Sequence, residues 1–205
     1  MFRTLAAFAL IAAALPALAQ QAEAPADNGL SMGQPVAPDG GAVGTSYVAS
    51  EYGDFDLRCV RTESGKDPCQ LYQLLSDTDG NAVAEFTLFP LLPPQGDAIA
   101  GGTIVTPLET LLTQAVTISV DAGEGRRYPF TFCAEIGCVA RIGYTDADID
   151  RYKAGKEASV SIVPVLAPDK RISLKVSLNG FTAGYDALLA QMQERAAEAA
   201  AASGN

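Results

Sequence analysis

The chain has 205 residues, a formal net charge of -10, and neither histidine nor tryptophan. That acidity repels phosphate backbones and anionic lipid alike, which argues against nucleic acid and leaves a protein, a cationic surface or a small ligand as partner. Without histidine, the commonest general base and the commonest zinc ligand are both missing.

In chain order, residues 1–19 read as a signal peptide. Arg3 supplies the positive start, residues 5–15 an uncharged apolar run, and Ala17-Leu18-Ala19 the small-x-small cleavage pattern. The run is shorter than the roughly 20 residues of a spanning helix, and Pro16 interrupts it. No transmembrane anchor is expected. Residues 20–50 are rich in Ala, Pro, Gly, Asp and Gln with isolated apolar positions, the composition of a flexible leader, with Tyr47 and Val48 docking at the domain edge.

Patterned sequence covers residues 51–188 and is expected to form one domain. Phe55, Leu57 and Cys59 share one strand face, Asp56 and Arg58 the other. Residues 69–76 and 82–89 give two further strands joined by Asp77-Thr78-Asp79-Gly80-Asn81, where Asp-Gly favours a hairpin turn. Val116, Ile118 and Val120 alternate with polar residues, and Tyr128, Phe130 and Phe132 predict a single half-buried strand across Pro129. Residues 144–155 switch to a short helix with Thr145 as N-cap and Gly155 as stop. Residues 158–165 then pair with the strand in which Ile172, Leu174, Val176 and Leu178 line the dry face. From Phe181 the spacing of Tyr185, Leu188, Leu189 and Met192 is helical, and residues 189–205 form an Ala-rich helical or frayed tail. Regular short strands with few helices predict an all-β, two-sheet sandwich.

The segment Tyr52-Gly53-Asp54-Phe55-Asp56-Leu57-Arg58-Cys59, the cysteine at 69, the Phe130-x-x-Cys133-x-x-x-x-Cys138 unit and the closing Leu178-Asn179-Gly180-Phe181-Thr182-Ala183-Gly184-Tyr185-Asp186-Ala187-Leu188 together resemble the invasion-associated locus B (IalB) family. The resemblance covers residues 52–188. It implies an immunoglobulin-like β-sandwich, exported by a Gram-negative alphaproteobacterium to the periplasm or outer membrane, with a contribution to host-cell entry in pathogenic members. It carries no catalytic residues, so the chain is expected not to be an enzyme and to need no cofactor. Phe55 stands where the family is expected to place Trp. Four cysteines allow three pairings. Spacing together with the resemblance implies Cys59 with Cys69 and Cys133 with Cys138, as structural staples rather than redox pairs, since neither spacing is C-x-x-C.

The expected partner is a protein of the cell envelope, and the oligomeric state stays open. The candidate binding residues are Phe89, Leu91 and Leu92, in an apolar stretch running to Pro94 that reads as a loop held by the sandwich. Two other chemistries have candidate residues. Asp54 and Asp56 share a strand face and would serve a hydrolase only if they converged in a cleft. Asp146, Asp148, Asp150 and Glu157 fit calcium-loop positions, but Arg151 replaces the glycine of the sharp turn, and a capped helix accounts for the acids. Asp77, Asp79 and Asn81 form a weaker oxygen cluster that turn chemistry explains. No metal site is expected.

Overall fold

The computed structural model describes residues 41–121 and 123–203. The expected signal peptide and most of the expected leader lie outside the described residues. Strands β1 (Ser46–Tyr52), β2 (Phe55–Val60), β3 (Cys69–Ser76), β4 (Ala82–Gln95) and β5 (Ala98–Thr106) run as an antiparallel meander. With β8 (Phe130–Ala134) and β9 (Gly137–Tyr144) they form a seven-stranded sheet in the order β1-β2-β3-β4-β5-β9-β8. A second antiparallel sheet comprises β6 (Val116–Val120), β7 (Arg126–Tyr128), β10 (Glu157–Ile162) and β11 (Ile172–Ser177), in the order β11-β10-β6-β7. The result is the expected two-sheet, immunoglobulin-like sandwich, with a short helix α1 (Asp146–Ala154) and a C-terminal helix α2 (Phe181–Ser203).

The core follows from strand register. Leu57, Leu71, Leu88, Gly102 and Ile142 lie in one row across the large sheet, and Phe86, Ile104 and Ala140 in the next. Their side chains meet Val116, Ile118, Val160, Leu174 and Val176 of the small sheet in one buried cluster. Gln73 ties the sheets through polar groups: its Nε2 donates to the carbonyls of Asp54 (2.9 Å) and Ser177 (3.1 Å), and its Oε1 accepts from the Ser177 amide (2.8 Å). Where both helices meet the large sheet, Phe181 packs on Phe55, Tyr152 and Tyr185 at ring separations of 5.7, 5.3 and 5.8 Å. Phe55 therefore serves as a core aromatic, 1% exposed.

The two ends of the resemblance meet in space. Gly53 and Gly180 both have positive φ, and a Cβ on Gly180 would overlap the Tyr52 carbonyl. The Asp54 amide donates to the Asn179 carbonyl (3.1 Å) and the Ser177 hydroxyl to the Asp54 carboxylate (2.5 Å). These segments are matched by close backbone approach that only glycine permits.

The structure corrects three expectations and adds a strand. Residues 46–50 belong to β1 and not to a flexible leader; β1 buries little of its own surface but gains a backbone ladder along β2. The expected loop at residues 89–94 is the second half of β4, where the ladder to β5 lapses between Pro90 and Gln95 because prolines have no amide to donate. The expected single strand over Tyr128–Phe132 breaks at Pro129: Tyr128 ends β7 in the small sheet and Phe130 starts β8 in the large one. Residues 98–106, not assigned to a strand from sequence, form β5. The glycines there make room, since a Cβ on Gly101 would sit 3.0 Å from the Phe89 ring.

Candidate functional site

Helix α2 packs Phe181, Tyr185 and Leu188 into the core, while its second half runs past the 60–68 loop. Between helix and loop lies an apolar groove of about 510 Å³, whose floor includes Pro68, Phe89, Leu92, Leu188 and Met192. Of the three candidate binding residues, the structure brings Phe89 and Leu92 to this groove. Leu91 does not line it and lies with Phe89 over Gly101.

The groove's charge is one-sided: Arg58, Lys66 and Arg195 line it and no carboxylate does. In a chain of net charge -10, this is a local surplus of cations. Arg58 is fixed, its guanidinium 3.3 Å from the centre of the Tyr72 ring and 3.3 Å from Asp56 Oδ2. Gln191 also lines the groove, and its buried side-chain oxygen accepts no hydrogen bond within the protein.

The groove wall is held from behind by Cys59–Cys69, which joins directly opposed residues of β2 and β3 with Cα atoms 4.0 Å apart. Inside the closed loop, Asp67 accepts from the Thr62 amide (2.7 Å) and the Tyr47 hydroxyl (2.9 Å). The Thr62 amide, with Tyr47 next, holds the Asp67 carboxyl below its ordinary pKa, and the same hydrogen bond raises the Tyr47 phenol. Arg195 Nη1 donates to the Asp67 carbonyl (2.5 Å), fastening the helix to the stapled loop. The second disulfide, Cys133–Cys138, joins opposed residues of β8 and β9, also with Cα atoms 4.0 Å apart.

A second, polar cleft of about 330 Å³ opens between the β6–β7 hairpin and α1. Asp148 closes a capping box with Thr145, and its carboxylate also meets Arg126 Nη1 at 2.9 Å and Arg151 Nη1 at 3.5 Å. Tyr144 and Tyr152 line the cleft, and their buried hydroxyls interact with one another. Sequence reasoning missed this site because Tyr128, Tyr144 and Tyr152 come from β7, β9 and α1. The available signal was an excess of acid and base around the helix cap.

The acidic residues of the other two chemistries have ordinary partners. Asp54 is bonded by Ser177 and Asp56 by Arg58, and neither lines either cavity. Asp148 is occupied as described, and Glu157 pairs with Lys175 at 2.9 Å. Asp77 accepts from the amides of Asp79 and Asn81 and from the Asn81 side chain, as a turn requires. Among the described residues, no group of three or more acidic, His or Cys side chains gathers where a metal ion could be held, and no helix is long and apolar enough to cross a membrane.

The family model for the invasion associated locus B (IalB) protein matches residues 56–189. Invasion protein B homologs of Brucella abortus (strain 2308) and of Brucella abortus biovar 1 (strain 9-941) are each 24% identical over 148 residues, covering 72% of this chain and 82% of theirs. The crystal structure of invasion associated protein B from Bartonella henselae superposes with a TM-score of 0.59 at 23% identity, covering 71% of this chain and 97% of that one. At that identity the likeness bears on the fold.

Proposed function

The chain belongs to the invasion-associated locus B family, and from that membership we propose that it is an exported, non-catalytic envelope protein that captures a protein partner in the groove beneath α2. Residues 1–19 act as the signal peptide, and the rest of the chain works in the periplasm or at the outer membrane. The relatives' names speak of invasion, to which such capture would contribute. The partner presents an apolar segment flanked by Asp or Glu.

The observation that carries this reading is the groove's composition. Phe89, Leu92 and Met192 offer apolar surface, and Arg58, Lys66 and Arg195 supply charge of one sign. Burial of a few such side chains by the partner is worth about 1.5–3 kcal/mol each before binding costs.

A photo-crosslinking residue at position 92, in the mature protein in its own cells, is expected to give a discrete adduct at an apolar, acid-flanked segment. The same residue at position 108, exposed but outside the groove, should not. Met192→Glu should weaken the purified partner segment at least roughly tenfold, with thermal stability retained. Equal adducts from both positions, or unchanged binding by Met192→Glu, would sink the proposal.

A further inference from the structure

The sandwich packs one face of the large sheet against the small one and leaves the opposite face open. On that open face, strand register places Leu74, Glu85, Val105 and Phe132 in one row, with Thr103 and Arg141 in the next. Leu74 is 50% exposed and Phe132 44% exposed, and Ile136 in the β8–β9 turn is more exposed still. Large apolar side chains left in the open mark an interaction surface where they gather. Here Leu74, Val83, Val105 and Ile136 surround one shallow hollow of about 200 Å³.

The charges on this face are few and of both signs. The chain holds 24 acidic residues, yet across β3, β4, β5, β9 and β8 these two rows carry one acid, Glu85, and one base, Arg141. Both are exposed, and among the described residues neither makes an ion pair. Glu85 lies beside the Tyr72 phenol, which burial and then this carboxylate raise, and the Arg58 stacked on that ring is paired with Asp56. Arg141 sits 5.7 Å from the centre of the Phe132 ring. Neither charge is neutralised within the chain.

The arrangement identifies what fits it. With strands about 4.8 Å apart and about 3.4 Å per residue along each, Glu85 and Arg141 stand about 12 Å apart on either side of β5. A two-fold axis lying in the interface and passing between Val105 and Thr103 exchanges their positions, so each Glu85 meets the Arg141 of the other copy. On the same lattice, that rotation carries Phe132 to within about one strand spacing of the other copy's hollow. Acid and base, knob and hollow are each present on one surface, as an isologous contact requires.

We propose that this face is the interface of a two-fold homodimer, held by Phe132 of each copy in the hollow of the other and by two reciprocal Glu85–Arg141 pairs. It makes no use of the groove beneath α2. Copies that each carry a net charge of -10 repel one another, and on this face each carboxylate finds a cation. The face is five strands wide, roughly 20 Å, so the contact stays below the roughly 800 Å² per partner of a standard interface and the dimer dissociates on dilution.

The test is sedimentation of the mature, oxidised protein over a range of concentrations. A monomer–dimer equilibrium is expected, with dissociation in the micromolar range. Glu85→Arg and Arg141→Glu each set like charges opposite one another and should weaken the dimer at least about tenfold. Mixed together, these two variants should dimerise with each other, because the reversed charges then match at both contacts. Both positions are exposed, so each variant should melt as the parent does. Phe132→Ser should weaken the dimer about tenfold while leaving the groove adduct from position 92 unchanged. Three outcomes overturn the proposal: a chain that stays monomeric at about 1 mM, a dimer that both charge reversals leave intact, or reversed variants that fail to pair when mixed. A photo-crosslinker at position 74 that captures a different protein in cells, while the purified chain stays monomeric, gives the face to that partner instead.

Discussion

The two disulfides make the same local bond in different surroundings. Each joins directly opposed residues of adjacent antiparallel strands, with Cα atoms 4.0 Å apart. Cys59–Cys69 closes a loop that Asp67 organises from within and α2 grips from outside, and it backs the groove. Cys133–Cys138 closes a tight turn at the sheet edge where Cys133 is exposed and Ile136 is 74% exposed. Chain entropy treats them almost alike, at about 2.8 and about 2.2 kcal/mol for loops of these lengths. What separates them is what leans on each loop: the first staple supports the groove wall, the second a free edge.

The strongest way to sharpen that contrast is to remove the support beneath the first staple. Phe181→Ala deletes the ring shared by Phe55, Tyr152 and Tyr185 and should cost about 3–5 kcal/mol in urea unfolding, with groove binding lost as α2 loosens. Replacing Cys59 and Cys69 together by serine comes next, at about 2.8 kcal/mol, again with loss of groove binding. The Cys133, Cys138 double serine variant should lose about 2.2 kcal/mol yet bind the groove partner as the parent does. If both double variants keep the partner equally well, the first staple holds up nothing that matters for binding and the contrast collapses.

Much of this contrast was legible in the sequence. The alternation of Phe55, Leu57 and Cys59, the Asp77–Asn81 turn, the Thr145 cap and the β10–β11 hairpin all depend on neighbours in the chain, where period and turn chemistry speak directly. Failures came where distant groups decide. β1 is a strand because β2 offers it a ladder, and Tyr47 is anchored by Asp67 twenty residues on. β5 carries two glycines that weaken a strand pattern, yet they are needed where rings from β4 and β9 cross it. Pro90 and Pro93 suggested a loop, and β4 continues through them at the cost of a gap in its ladder. Phe89 and Leu92 were therefore expected in a loop and lie in a strand, while the other wall of the groove they line, on α2, lay about a hundred residues away.

The smallest expected effect tests whether the first loop is organised from within. In the folded protein the Thr62 amide, then the Tyr47 hydroxyl, favour the Asp67 carboxylate, so its pKa lies below the unfolded value of about 3.9. A depressed folded pKa means that this stabilisation is complete above the unfolded value and is lost as pH falls through the folded one. Tyr47 works in the opposite sense. Its pKa is raised, chiefly by the hydrogen bond to Asp67, so its contribution holds below the ordinary phenol range and is lost as pH rises through the folded value. Asp67→Asn keeps an acceptor for Thr62 but removes the charge. It should lower the melting temperature slightly at neutral pH, and the deficit should vanish in acid, where the parent's carboxyl is protonated too. A carbon-detected titration that finds Asp67 at the ordinary aspartate value would show the loop to be held by the disulfide and Arg195 alone. The second loop has no such carboxylate hub among its described residues, and its double serine variant should show no deficit that depends on pH in this range.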